Sequence, residues 1–303
     1  MTTPHPQPFS VASAGITLRG DLWSPHAPTP EDTRNAEGTR NAEGTRTAPI
    51  LLLHGGGQTR HSWDATAAGL AAGGRRAYTL DSRGHGDSGW SPDGDYGLDD
   101  FTGDLRAVLT AIGEPPILIG ASLGGITGLS VCGEDPGSIA ALVLVDVVVD
   151  VEPAGVDRIK QFMSSHIGGF DSLDEVADAV AAYNPARRRP SSLDGLRKNV
   201  RLRDDGRWYW HWDPAFLHGD SDEPRSLTDP GRLAAAARRV TAPTLVIRGG
   251  RSDVVSDRGI ARTRELIPHT TVADVSSAGH MVAGDDNAVF AAAIETFLRE
   301  HAL

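Results

Sequence analysis

The sequence predicts an α/β fold with a mostly parallel central sheet flanked by helices. Two observations carry this prediction and a third shapes it. From Ile50 to Asp146, short runs of continuous apolar residues alternate with helical stretches, which is how strands buried on both faces look in sequence. Several of these runs end in glycines or a turn cluster. Near Glu152 the alternation stops, and at Thr244 it resumes, so a segment is inserted between two strands of one sheet.

Taken in order, "FSVASAGITLRGDLW" gives two short strands around Ala14-Gly15, a hairpin. Residues 33 to 48 read TRNAEG-TRNAEG-TRTA, a tandem hexapeptide. A repeat builds structure only if each unit can bury a face, and these polar units cannot. Residues 29–48 are therefore expected to be a flexible surface loop. Strand 50–54 follows, then helix 61–72, strand 77–81, helix 98–112, strand 116–120, helix 123–132 and strand 139–146. Residues 151–235 are irregular, with prolines and the aromatic cluster Trp208 to Trp212, and are expected to form a helical lid. Strand 244–248, helix 258–266, strand 271–275 and a last helix 286–300 complete the core, so the core parts are 1–150 and 236–303. A lid inserted there lies over the carboxyl ends of the strands, where open α/β sheets bind ligands.

Composition narrows the function. The chain has 303 residues, with 39% hydrophobic and 23% charged, ordinary for a soluble globular protein. A formal net charge of −11 argues against a nucleic-acid partner, and the run Arg187-Arg188-Arg189 is too short to change that. The single cysteine, Cys132, excludes an intramolecular disulfide and argues against a thiolate metal site. The longest apolar run, 139–149, is interrupted by Asp146 and is too short to span a bilayer. The amino-terminal residues lack a basic region followed by an apolar one, so the expectation is a cytoplasmic protein. A homo-oligomer is compatible with the sequence, which does not specify one.

The chemistry concentrates in "ILIGASLGG", residues 117–125. Gly-Ala-Ser-Leu-Gly is a G-x-S-x-G motif between a strand and a helix. A sharp turn there needs small neighbours, and it lifts the Ser122 hydroxyl above the sheet with a helix N-terminus beneath it. An N-cap serine is the plain alternative. A serine nucleophile needs a base. His280, in "SSAGHMV" after the last predicted strand, is the best placed of eleven histidines. His54 also ends a strand, but its glycine neighbours suggest a different role; His85 sits in a glycine-rich turn, where a histidine hydrogen-bonds the loop backbone; and His211 is a weaker candidate for touching substrate. An acid must orient the base. Asp253, in "RGGRSDVV", fits best, and Asp146, with Asp150, is the alternative after an earlier strand. Two backbone donors should meet the oxyanion: the amide of Leu123 and one from His54-Gly55-Gly56-Gly57, with Gly56 preferred over Gly57. No Walker lysine follows these glycines, so a phosphate cradle is a poor reading.

Together, His54-Gly55-Gly56-Gly57, the stretch Asp81 to Ser88, Gly120 to Gly124, Gly250 to Asp253 and Gly279-His280 resemble the α/β-hydrolase superfamily in order and spacing. The resemblance covers roughly residues 10–150 and 240–303. It implies that Ser122, His280 and Asp253 are nucleophile, base and acid, that Asp81 to Ser88 is a structural turn, and that no metal or organic cofactor is needed. Within the superfamily it resembles the lid-bearing group of esterases, lactonases, C–C bond hydrolases and cofactor-free haloperoxidases. Epoxide hydrolases and haloalkane dehalogenases carry an aspartate where this chain has Ser122. The expected function is hydrolysis of a carboxylic ester or lactone of an apolar small molecule. Alternatives are a C–C bond hydrolase, a cofactor-free haloperoxidase or perhydrolase, and a non-catalytic receptor for a small ligand. Trp208, Trp210, Trp212, Phe162 and Met163 are candidates for the pocket, although packing of the lid onto the sheet is the better reading for most of the aromatic cluster.

Overall fold

A computed structural model describes residues 5–25, 47–183, 193–217, 227–275, 279 and 287–303. His280 and most of the tandem-repeat loop lie outside the described residues. Strands β1 (Gln7–Ser13) and β2 (Ile16–Trp23) form the hairpin. Then come β3 (Ile50–Leu53), α1 (Asp64–Ala72), β4 (Ala77–Leu80), α2 (Leu98–Ile112), β5 (Ile117–Ala121), α3 (Leu123–Glu134) and β6 (Ala141–Val145). The inserted segment carries α4 (Pro153–Met163), α5 (Leu173–Tyr183), β7 (Val200–Leu202), β8 (Trp208–Trp210) and α6 (Pro230–Ala237). The core closes with β9 (Thr244–Gly249), α7 (Asp257–Leu266), β10 (Thr271–Val275) and α8 (Asn287–Glu300).

Among the described residues the main sheet has eight strands in the order β1-β2-β4-β3-β5-β6-β9-β10. The pairs β1–β2 and β2–β4 are antiparallel and all others parallel. Consecutive strand residues point to opposite faces, and both faces are covered. Leu51, Leu53, Leu118, Leu142 and Leu144 pack with Leu105 and Val108 of α2 and Leu129 of α3. Ile50, Leu52, Ile117, Ile119 and Val143 pack with Trp63, Ala67 of α1 and Phe290, Ile294 and Phe297 of α8. That double coverage is why these strands read as unbroken apolar runs. The parallel strands all end on the same edge, so the chain after β3, β5, β6 and β9 converges there.

The inserted segment is not purely helical. Its β7–β8 hairpin pairs Val200 with Trp210 and Leu202 with Trp208 across an Asp-Asp-Gly turn. At its far end, α6 returns to the body of the molecule. Gly133 of α3 lies so close that a Cβ there would stand 2.0 Å from the Ala236 carbonyl oxygen.

Candidate active site

Ser122 sits in the turn between β5 and α3 with φ 44° and ψ −111°, a conformation L-residues adopt only under constraint. Packing imposes it. The Ser122 N–H donates to the Val145 carbonyl at 3.2 Å, and Gly124 N–H donates to the His54 carbonyl at 3.2 Å. A Cβ on Gly120 would lie 2.5 Å from the Gly124 carbonyl carbon, and one on Gly124 would lie 2.6 Å from the Leu53 Cβ. Only glycine lets α3 start this close to β3 and β5. Gly124→Ala is therefore expected to cost about 1–3 kcal/mol through overpacking, seen as a lower urea midpoint at unchanged m-value.

Asp146 follows β6, next to Ser122, since β5 and β6 pair Ala121 with Val145. It is fully buried with φ 48°. Its carboxylate accepts from Gly249 N–H at 2.9 Å and from Ser252 Oγ at 2.6 Å. Asp253, the acid favoured from sequence, faces outward instead: its side chain is 41% exposed and ion-paired with Arg158 at 2.7 Å. Arg158 also donates to the Tyr183 carbonyl.

The glycine loop after β3 is a tight turn closed by Gln58 N–H donating to Gly55 O at 3.1 Å, with Gly57 at φ 74°. Three buried imidazoles hold it. Ser82 N–H donates to His54 Nε2 at 2.9 Å, so the ring proton is on Nδ1 and donates to Gly55 O at 2.8 Å. Gly57 N–H donates to His85 Nε2 at 3.1 Å, so His85 Nδ1–H donates to the Arg83 carbonyl at 2.9 Å. Gly86 N–H donates to His211 Nδ1 at 2.8 Å, so His211 Nε2–H faces the Gly57 carbonyl at 3.4 Å. These contacts separate the two candidate oxyanion donors. The Gly57 amide is committed to His85. The Gly56 N–H shares a trans peptide with Gly55 C=O and so points away from His54. Met163 Sδ and Phe216 would lie 3.7 and 3.8 Å from a Cβ on Gly56, so these two side chains stand over the loop.

Burial lowers the basicity of all three histidines: His54 is held below its usual value, His85 falls to about 3, and His211 lies well below its usual value. The proximity of the rings to one another adds to the effect on His85 and His211. The unfolded chain takes up protons here below about pH 6.5 while the folded chain does not, so stability falls as pH drops from that value. Below pH 6, the unfolding free energy is expected to fall by up to about 4 kcal/mol per pH unit if all three stay neutral in the fold. Urea titrations at several pH values measure this slope.

The Asp81–Ser88 stretch is a structural turn. Asp81 is fully buried and accepts from Arg60 N–H at 2.7 Å, from Asp87 N–H at 2.9 Å and from the Arg60 guanidinium. The cluster Trp208 to Trp212 mostly packs the inserted segment. Trp210 and Trp212 stack at 4.7 Å, Phe170 meets Trp210 edge-on, Phe162 tilts against it, and Trp208 lies under Arg197. Cys132 is buried in α3 and its thiol is pushed up to about 12, too weak an acid to act as a nucleophile. Among the described residues no group of three or more His, Cys, Asp or Glu could hold a metal ion, and no helix is long and apolar enough to cross a membrane.

A constrained residue in the turn between β5 and α3, at the carboxyl edge of a mostly parallel sheet, is the arrangement of an α/β hydrolase. A family model described as "alpha/beta hydrolase fold" matches residues 48–286, and the chain belongs to that family. An esterase of Mycobacterium tuberculosis is 31% identical over 247 residues, covering 78% of this chain and 78% of that protein. An sn-1-specific diacylglycerol lipase of Mus musculus is 29% identical over 263 residues, covering 82% and 80%. The crystal structure of the mycobacterial esterase superposes with a TM-score of 0.72 at 27% identity, covering 98% of this chain and 92% of that one. A crystal structure of E-2-(acetamidomethylene)succinate hydrolase superposes with a TM-score of 0.76 at 21% identity, covering 97% and 100%, a likeness of fold alone. The chain is a hydrolase with esterase relatives.

Proposed function

We propose that the chain hydrolyses carboxylic esters or lactones of apolar small molecules through an acyl-enzyme on Ser122, with His280 as base and Asp146 as the acid that orients it. The observation that carries this is the pair of constrained residues on adjacent strands. Ser122 and Asp146 both have positive φ, and both follow strands that end at the same sheet edge. Backbone strain of this kind costs about 1–3 kcal/mol per residue and persists where a function selects it. Asp146 replaces Asp253 in this reading because its carboxylate is dry, fixed by two donors and beside the serine. His280 takes its role from its place after the last strand and from the family.

The Ser122 hydroxyl attacks the carbonyl carbon while His280 accepts its proton, and the carbonyl oxygen becomes an oxyanion facing the Leu123 and Gly56 amides. The tetrahedral species collapses, the C–O bond to the alcohol breaks, and His280 returns the proton to the leaving oxygen. Water then attacks the acyl-enzyme by the same route and releases the acid. Met163 and Phe216 form the apolar wall over the oxyanion loop. The inserted segment acts as the cover of the site, with its tryptophans packing that cover rather than gripping substrate.

A panel of p-nitrophenyl acyl esters and aliphatic lactones tests this, with the purified chain and a Ser122→Ala control. Serine-dependent hydrolysis of at least one member is expected. Cleavage of a β-diketone with no ester turnover would return the C–C hydrolase alternative, and tight ligand binding without turnover would return the receptor.

A further inference from the structure

We propose that His211, supplied by the inserted segment, is a positioning residue for the oxyanion loop: its Nε2–H holds the Gly57 carbonyl and so fixes the turn that aims the Gly56 amide. This rests on the hydrolase reading above. Gly56 and Gly57 are consecutive residues without Cβ atoms, so the turn has little conformational preference of its own. Its peptide orientations must come from partners. His54 fixes the Gly55 carbonyl and His85 fixes the Gly57 amide, both from core loops next in space. The third hold, on the Gly57 carbonyl at 3.4 Å, comes from a residue 154 positions away in the insertion.

That residue cannot swing freely. His211 is 1% exposed, and its Nδ1 is occupied by the Gly86 N–H. The strap that carries it is latched to the core just beyond. Asp213 N–H donates to the Gly84 carbonyl at 2.8 Å and Tyr96 Oη donates to Asp213 Oδ2 at 2.5 Å, while Ala215 N–H, within the strap, donates to Asp213 Oδ1 at 2.9 Å. The same strap delivers Phe216 against the edge of His85 at 4.9 Å. Seating of the insertion is thereby coupled to oxyanion geometry, so the strap from 211 to 216 is a fixed wall of the site.

The test compares His211→Asn with His211→Gln. An asparagine amide can reproduce the Nδ1 acceptor for Gly86, whereas a glutamine amide can reach toward the Nε2 position and restore a donor to Gly57. Each variant is assayed for kcat and KM on the best ester of the panel and for inhibition by a trifluoromethyl ketone, whose hemiketal oxyanion occupies the same hole. For Asn, kcat is expected to fall about 10- to 100-fold with KM within about threefold, less than the loss of a whole donor, and ketone affinity is expected to fall in parallel. For Gln, kcat is expected to stay within about threefold of the parent. Should the Asn variant fail to fold, Gln is compared with Met, which is similar in shape and has no N–H. Equal losses in the donor and non-donor variants, an effect confined to KM, or no effect would overturn the proposal. A parent chain that neither turns over esters nor reacts with a fluorophosphonate would overturn the hydrolase reading itself, an outcome distinct from all of these.

Discussion

Ser122→Ala is expected to lower ester hydrolysis by about 10⁴- to 10⁶-fold while leaving the fold intact. The size follows from the mechanism: without the hydroxyl no acyl-enzyme forms, and what remains is the modest acceleration from binding and the oxyanion donors. The fold should tolerate the change because the turn is held by Gly120 and Gly124 and by backbone hydrogen bonds to Val145 and His54, none of which uses the serine hydroxyl. A companion variant separates function from strain. At φ 44° and ψ −111° a glycine pays none of the Cβ penalty, so Ser122→Gly is expected to raise stability by about 1 kcal/mol while being equally inactive. Circular dichroism melts read the stability, and the ester assay reads the rate. Near-normal turnover in either variant would remove Ser122 from the reaction.

The second large effect divides the two aspartates. Asp146→Asn is expected to lower kcat by about 10⁴-fold, because a neutral amide neither stabilises the imidazolium nor enforces its tautomer. Its folding cost should be about 1 kcal/mol, since the amide oxygen still accepts from Gly249 N–H and Ser252 Oγ can reorient. Asp253→Asn breaks a pair with Arg158 in which both side chains are about half exposed, 54% and 41%. Such surface pairs contribute about 0–1 kcal/mol, and activity should stay within about threefold of the parent. The reverse ranking would hand the acid role back to Asp253.

These two residues also show how far the sequence reaches. The order of strands and helices in the core, the insertion point and the constrained turn at Ser122 are all legible, because buried strands must be apolar and a serine in such a turn must have glycine neighbours. The strand 271–275 comes out at the residues observed. What gives Asp146 and Asp253 their different surroundings is not local. Asp253 is drawn outward by Arg158, 95 positions away, and Asp146 is turned by a positive φ. One signal was present: a charge interrupting the apolar run 139–149 must find buried donors, as Asp146 does. The β7–β8 hairpin had a signal too, the turn residues Asp204-Asp205-Gly206 between alternating residues. The role of His211 had none, since its partners are backbone groups of Gly57 and Gly86 that carry no side-chain signature.

The most direct measurement is mass spectrometry of the chain after reaction with an alkyl fluorophosphonate, followed by peptide mapping. One phosphonyl group per chain on the peptide containing Ser122, at a rate that collapses in Asp146→Asn but not in Asp253→Asn, is the expected result. An unlabelled chain that still hydrolyses esters, or a label on any other residue, would contradict the account.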